Sequence, residues 1–507
     1  MSEDSAATAL RSNARLVVIE APAGCGKTHQ GAKYAGDVAP LIGRGRVLIL
    51  THTHAACDVF ASRTSNLRSR VDIRTIDTLI VQIATAYHSA LQLPHDVGAW
   101  TRSRKDGCSD LAAKVADLLR LSPMIGRSLA QRYPVIICDE HQDASADQEA
   151  VVLACHEAGA SVRIFGDLMQ RIYGNKKKAA IDADDQRWEN LKRWADRFEE
   201  LDNPRRWANG SEPLGYWILA ARETLRSGGQ VDLRGSLPQG VLVIVAENQA
   251  PKYGLYKPPA EDSKTIRKVV RDADSMLVLS AQNATVDALR SFFFRSVPIW
   301  EGHVREGLST LVSVVQSHTG NGARIAQAAI DFVKHVATGF SPSAYGNALL
   351  AEVCAGCVTN RNGKPAKLQA LGRLLLAEPN HKGIANFLRQ LESLIKTDPA
   401  FAEVKLDCHR EFWDAVRLGD FDDPGEGFVE ISRRRSSMPA SVPSKALSTV
   451  HTAKGLECSN VLIVPCDAHH YGDSPAARCN LYVAMSRATR SLTIVASRQK
   501  PSPLIAI

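Results

Sequence analysis

Nowhere in its 507 residues does the chain carry an apolar run of the roughly 18 residues that a membrane-crossing helix needs. The opening residues, MSEDSAATAL, place acids where a secretory signal would carry a basic end and an apolar core. A cytoplasmic protein with no membrane partner is therefore expected. Disulfide spacing is lacking too. The cysteines number 11, an odd count scattered through a long chain, which fits reduced thiols. Repeats and low-complexity tracts are absent. With 45% hydrophobic and 23% charged residues, the composition excludes a fibrous or largely disordered protein. The length exceeds what one core supports, so two to four folding units are expected. A net charge of +8 is compatible with a polyanionic partner without identifying one. Metal-ligand spacing is limited to Cys354 and Cys357 in CAGC. Zinc there would need two more ligands from Cys408, His409 or His381, and buried free thiols explain the same spacing without metal.

What is present is concentrated in two short stretches. RLVVIEAPAGCGKTHQ runs from a strand-like segment, Arg15 to Glu20, through a glycine-containing turn toward a helix beginning near Lys27. The turn fits the phosphate-binding pattern G-x-x-x-x-G-K-[ST], except that Ala21 holds the first glycine position. Gly24 and Gly26 let backbone N–H groups turn around phosphate oxygens, Lys27 reaches the outer phosphates, and Thr28 can ligate magnesium. The second stretch, ICDEHQDAS, sets Asp139, Glu140 and Asp143 directly behind the apolar run Val135 to Cys138. A buried parallel strand would place those acids at its carboxyl edge, where the phosphates would lie. Asp139 then suits the magnesium shell, Glu140 the activation of water, and Gln142 a hydrogen bond to phosphate or that water. Asp143 suits a structural or coupling role. An acidic helix N-terminus is the plainer alternative.

Branched apolar runs at Arg15 to Glu20, Val47 to Leu50, Val135 to Cys138 and Val162 to Phe165, spaced by helix-length segments, predict one doubly wound parallel sheet. A second set at Val241 to Val245, Met276 to Leu279, Val461 to Val464 and Leu492 to Val495 predicts another. From Ser309 to Leu418 the pattern is helical, without strand-like alternation. Trp188, Trp194, Trp207 and Trp217 sit in amphipathic helical patterns and are expected in the core rather than stacked on bases. Basic groups at Arg68, Arg70 and Arg74, at Lys176 to Lys178 and at Arg433 to Arg435 read as solvated faces. The lysine run is the best placed of the three for backbone phosphates.

Further motifs follow in order: LTHTHAACDVFASR (Leu50 to Arg63), TIDTL (Thr75 to Leu79), GDLMQRIYG (Gly166 to Gly174), STVHTAKGLE (Ser448 to Glu457) and LYVAMSRA (Leu481 to Ala488). With the phosphate loop and DEHQD, this series resembles the UvrD/Rep family of superfamily-one DNA helicases. The resemblance implies an α/β fold of two RecA-like motor domains with helical insertions. Motor domain 1A would span 1–79 and 131–205, insertion 1B 80–130, motor domain 2A 206–300 and 441–507, and a 2B-like insertion 301–440. It implies ATP and Mg2+ as cofactors, with Ala23, Cys25 and His29 joining the loop's nucleotide contacts. Gln170 would sense the terminal phosphate, Arg206 would match the fourth motif's arginine, and Arg205 and Gly455 would lie at the nucleotide. Glu457 would meet the ribose, and Arg487 would act as an arginine finger. DNA contacts would fall to Thr53, His54, Arg74, Thr75, Tyr173, Lys176 and His451.

The chain departs from that family where it reads the base and grips DNA. There is no glutamine between Met1 and His29 to read adenine, Arg205 stands where a tyrosine would stack, Asn175 and Lys176 replace an aromatic and its arginine neighbour, and Asp77 takes a histidine's place. Two readings result. One is a 3′-to-5′ translocase or helicase on single-stranded DNA or a tailed duplex. The other is a DNA- or nucleotide-sensing ATPase subunit regulating a partner nuclease in a defence or repair complex, similar to the helicase-like subunits of Gabija-type systems.

Overall fold

The computed structural model describes residues 2–102, 104, 106–173, 178–247, 255–300, 306–406, 408–436 and 443–507. Val- and Ile-rich runs extend because branched side chains pack well on a pleated surface. The first sheet comprises β1 (Leu16–Glu20), β2 (Val47–Thr51), β3 (Val71–Thr75), β4 (Val135–Cys138), β5 (Ser161–Gly166) and β6 (Arg197–Glu200). All pair in parallel, in the order β3-β2-β4-β5-β1-β6. Alternate residues serve opposite faces. Val17, Ile19, Ile49 and Ile137 join one core with helices Ser2–Arg11 and Lys27–Val38. Val18, Leu48, Ile136 and Ile164 join another with helices Ile76–Ala86, Gly107–Leu121 and Ala146–Glu157. Helices on both faces make the expected doubly wound sheet.

Neither edge strand stood out in the sequence. β3 reads VDIRT and β6 reads RFEE; their charged residues blunt edges that a central strand would have to bury.

The second sheet is also fully parallel, in the order Lys445–Thr449, Met276–Ser280, Cys458–Cys466, Ala488–Ser497, Val241–Ala246. The edge strand KALST was likewise not anticipated. Both sheets lie in one compact unit, made of the chain up to Val297 together with Ser444–Ile507. The fold class is thus the predicted one, α/β with RecA-like parallel sheets.

The other unit, Pro298–Pro443, is built mainly of helices packed around Leu308, Phe332, Phe387 and Phe412. One point corrects the all-helical expectation: Ala337–Thr338 and Lys405–Leu406 pair antiparallel. Two-residue strands are too short to imprint a period on the sequence. Cys354 is exposed and Cys357 buried, both as free thiols, and among the described residues no three His, Cys, Asp or Glu side chains gather as a metal site.

Trp188 and Trp207 are buried and Trp217 half-buried, as core packing requires. Trp194 is instead 63% exposed, at the last residue of its helix, so it does not pack in the core. Among the described residues, no helix is long and apolar enough to cross a membrane.

Candidate functional site

β1, β5 and β4 are neighbours in the sheet, and their carboxyl ends carry the chemistry. β1 leads into the turn at Gly24 and Gly26, whose φ angles of +77° and +88° lie in the left-handed region that side chains resist. A Cβ on Gly24 would also come within 2.7 Å of the Trp207 ring. The helix starting at Lys27 therefore opens directly off the loop, and its first residues, Lys27, Thr28 and His29, line a cleft of about 330 Å³ with Ala23, Gly24 and Gly26. Cys25 faces inward, and burial pushes its thiol up to about 12.

The Lys27 ammonium donates to the Ala21 carbonyl at 3.1 Å and pairs with Glu140 at 3.2 Å. Glu140 sits at φ +52°, strained for a non-glycine residue, at the turn off β4. Burial raises the Glu140 carboxyl, but Lys27, Lys454 and a hydrogen bond from Gln142 outweigh it and hold the group ionised below the usual range. Asp139 moves the other way, pushed up by burial and by the Glu140 charge. The Thr28 hydroxyl donates to Asp139 Oδ2 at 3.3 Å, while Asp139 Oδ1 is buried without a hydrogen-bond partner. A hydroxyl beside a carboxylate oxygen that lacks a donor is a hard-oxygen set that fits magnesium.

Polar side chains from separate segments complete the cleft. Gln142 bridges Glu140 to the Asp167 N–H, which it accepts at 3.0 Å. Gln170 lines the cleft and donates to Asp167 Oδ2 at 3.0 Å. Arg206 also lines it, pairs with Glu457 at 2.8 Å, and donates to the Ser486 carbonyl at 2.6 Å. Arg205 lies on the rim with its side chain 3.0 Å from where a Gly26 Cβ would stand, and its guanidinium is clamped by Glu3 of the amino-terminal helix.

Arg487 is set back from the cleft. It is buried and donates to the Val483 and Leu456 carbonyls and the Ser486 hydroxyl, and it does not line the cleft. Burial, reinforced by the nearby Arg206 charge, lowers its pKa to about 9. Gly455 takes φ +87° and is also outside the lining.

The residues singled out for DNA are spread over several elements. Thr53 and Thr75 cap helices by accepting from Ala56 and Thr78 N–H groups, and His54 opens the helix that Thr53 caps. Arg74 is held by Gln82 and by Asp72 at 3.0 Å. Tyr173 is 43% exposed and donates to the His451 carbonyl, while the His451 ring meets the Ile172 carbonyl at 2.9 Å. Asp77 accepts from Gln148 at 2.8 Å. Lys176, with Asn175 and Lys177, lies outside the described residues, as do the side chains of Arg433 to Arg435.

Reasoning from sequence missed several residues at or behind the site. Lys454 pairs with Asp143 and donates to the Gln170 carbonyl at 2.8 Å. Tyr482 accepts the Ala23 N–H at 2.8 Å. Lys454 and Tyr482 both stand inside recognised motifs, in AKGLE and LYVAMSRA, and that was the available signal. Arg63, which lines the cleft, closes the motif LTHTHAACDVFASR, whereas Glu3 and Arg222 stand in no motif.

Residues 4–176 match the family model of an AAA domain, and residues 446–495 match that of the UvrD-like helicase C-terminal domain. The first match covers the phosphate loop and both acids that follow β4; the second covers Lys454, Glu457 and Arg487. No curated protein matches the chain.

Proposed function

We propose that this chain, a P-loop NTPase with an AAA domain and a UvrD-like helicase C-terminal domain, hydrolyses ATP to drive 3′-to-5′ movement on single-stranded DNA. The observation that carries the reading is one cleft lined by the phosphate loop, Glu140, Gln170, Arg206 and Glu457, with segments of both sheets contributing. Backbone N–H groups of the loop and helix start, Gly24 and Gly26 to Thr28, would cradle the phosphates, and Lys27 would leave Glu140 to meet the outer ones. Thr28 and Asp139 would hold Mg2+, which when bound neutralises phosphate-oxygen charge. Glu140 is kept ionised and so takes the proton of the attacking water. Gln142 holds Glu140, and Gln170 lies where the terminal phosphate would be read. Glu457 meets the ribose edge, near Gly455.

Arg206 supplies positive charge from the cleft wall. Arg487 reaches the phosphate only when its side chain leaves the Val483 and Leu456 carbonyls of its own sheet domain as the two sheets close on the nucleotide. Hydrolysis is thereby made conditional on movement of the sheets, which is how chemistry becomes translocation. Thr53, His54, Tyr173, Lys176 and His451 are the proposed strand contacts, with Arg74 and Thr75 behind them. The internal partners of Arg74 and Thr75 favour a second reading, a sensing ATPase that regulates a partner nuclease and grips DNA weakly.

The test is steady-state ATPase activity with and without single-stranded DNA, followed by unwinding of a 3′-tailed duplex. Lys27→Ala and Glu140→Gln should each abolish turnover in a folded protein, and Glu140→Gln should still bind nucleotide. Wild-type turnover in either variant would remove the site assignment. Stimulation by DNA without unwinding would favour the sensing reading.

A further inference from the structure

Behind the cleft lies a buried charged group that the hydrolytic reading does not use. Arg222, only 3% exposed, projects from the helix Glu212–Arg226. That helix packs on the helix Pro475–Met485 and on the strand Ala488–Ser497 of the second sheet. Its guanidinium donates to Asp167 Oδ1 at 3.1 Å from Nε and 2.6 Å from a terminal nitrogen, and to Glu20 at 3.0 Å. Glu20 ends β1 and Asp167 follows β5, so the fork joins two strand ends of the first sheet to a helix seated on the second. Asp167 in turn holds two arms of the cleft. Its Oδ2 accepts from Gln170, and its N–H donates to Gln142, which donates to Glu140.

An ionised carboxylate only accepts hydrogen bonds, so Asp167 fixes which way the Gln170 amide faces, nitrogen toward the acid. The Arg222 fork holds Asp167 Oδ1 and leaves Oδ2 turned to Gln170. Without that fork the buried carboxylate would be left without its main donors and would turn toward others, carrying the Gln170 amide with it.

We propose that Arg222 is a positioning residue for hydrolysis: by its fork on Asp167 and Glu20 it sets the orientation of Gln170 and Gln142 according to where the second sheet stands. The inference rests on the reading of the cleft as an ATPase site.

The experiment uses the full chain and measures ATP turnover together with affinity for a fluorescent ATP analogue, for wild type, Lys27→Ala, Arg222→Gln, Arg222→Lys, Gln170→Ala and the Arg222→Gln/Gln170→Ala double variant. Arg222→Gln should lower kcat about 10- to 100-fold with affinity changed by no more than about threefold. Arg222→Lys keeps the charge but not the planar fork, so it should recover only part of the loss. The double variant should be no slower than the slower single one, because both changes act through one unit. If Arg222→Gln fails to fold, Asp167→Asn/Arg222→Gln removes charge from both sides and should show the same loss of kcat.

A folded Arg222 variant with wild-type kcat overturns the inference, and so do single losses that multiply in the double variant. If wild type turns over, Lys27→Ala does not, and Arg222→Gln is unaffected, only the positioning role falls. An inert wild type overturns the ATPase reading and this inference with it.

Discussion

Asp139 and Glu140 are adjacent, the first buried and the second partly exposed, and they are driven in opposite directions by what surrounds them. Glu140 has Lys27, Lys454 and Gln142; Asp139 has one threonine hydroxyl and an oxygen with no partner. The ionised Asp139 is thus a site where binding capacity opposes stability. Because its folded-state pKa is raised, the folded chain binds the proton more tightly than the unfolded chain, and the stability this lends is lost as pH rises through the folded value. Asp139→Asn should therefore raise the melting temperature at pH 8, by about 2 °C, while abolishing magnesium-dependent turnover. The gain should shrink toward pH 5. Calorimetry across that range checks the sign, and a gain that grows on acidification would refute it. At the rim, Arg205 offers a flat guanidinium held by Glu3 where an aromatic would stack. Stacking on a cation favours purines without telling them apart. GTP should be used within about tenfold of ATP, a difference of about 1.4 kcal/mol, as competition kinetics would show; strict ATP dependence would point to another reader.

At the scale of one element, the strand, turn and helix from β1 to Val38 tolerate little change at the turn. Gly24 is fixed twice, by its φ of +77° and by the Trp207 ring and Arg206 Cβ that a side chain would strike at 2.7 and 2.8 Å. The Arg206 N–H also donates to the Gly24 carbonyl at 3.0 Å, so moving the loop moves the cleft arginine. Gly24→Ala should cost about 2 kcal/mol of stability, the left-handed strain plus repacking of a buried tryptophan. It should also weaken nucleotide binding more than tenfold. Denaturant titration and binding of an ATP analogue measure both, and unchanged affinity would show that the loop does not hold the phosphates. Gly36, by contrast, has space around it and no strained φ, so Gly36→Ala in the helix that follows serves as the control.

At the scale of the whole molecule, the cleft is meaningful only as a junction. Lys454 reaches Asp143, Tyr482 reaches the Ala23 N–H, and Trp207 donates to the Ala488 carbonyl at 2.6 Å, so both sheets share one boundary. Arg487 stands behind that boundary rather than in the cleft, its guanidinium satisfied by carbonyls of its own sheet domain. If DNA binding brings this arginine forward, Arg487→Ala should leave nucleotide affinity within a few-fold and lower turnover by about 10³, the usual scale for an arginine finger. DNA stimulation should vanish with it. Arg206→Ala, which removes a residue already in the cleft, should lower basal turnover as well. Retained DNA stimulation in Arg487→Ala would mean that this arginine serves the packing of the second sheet alone.

The phosphate loop, the acids behind β4 and the central strands of both sheets are legible in the order of residues alone. Each depends on neighbours along the chain: glycines at a turn, an apolar run, a charge at its end. The edge strands β3 and β6 escaped notice because an edge buries little and needs no apolar pattern. Trp194 shows the converse, a helical pattern that did not translate into burial at a helix end. Which charges meet, by contrast, follows from how the chain closes on itself. Arg222 looks like any arginine on an amphipathic helix until Glu20 and Asp167 close around it, and Glu3 like any acid in an opening helix until it clamps Arg205. Such pairings join residues 55 to 202 positions apart. A partner's distance across the fold leaves no local trace, since the free energy of a buried ion pair depends on desolvation and geometry that exist only once the chain has closed.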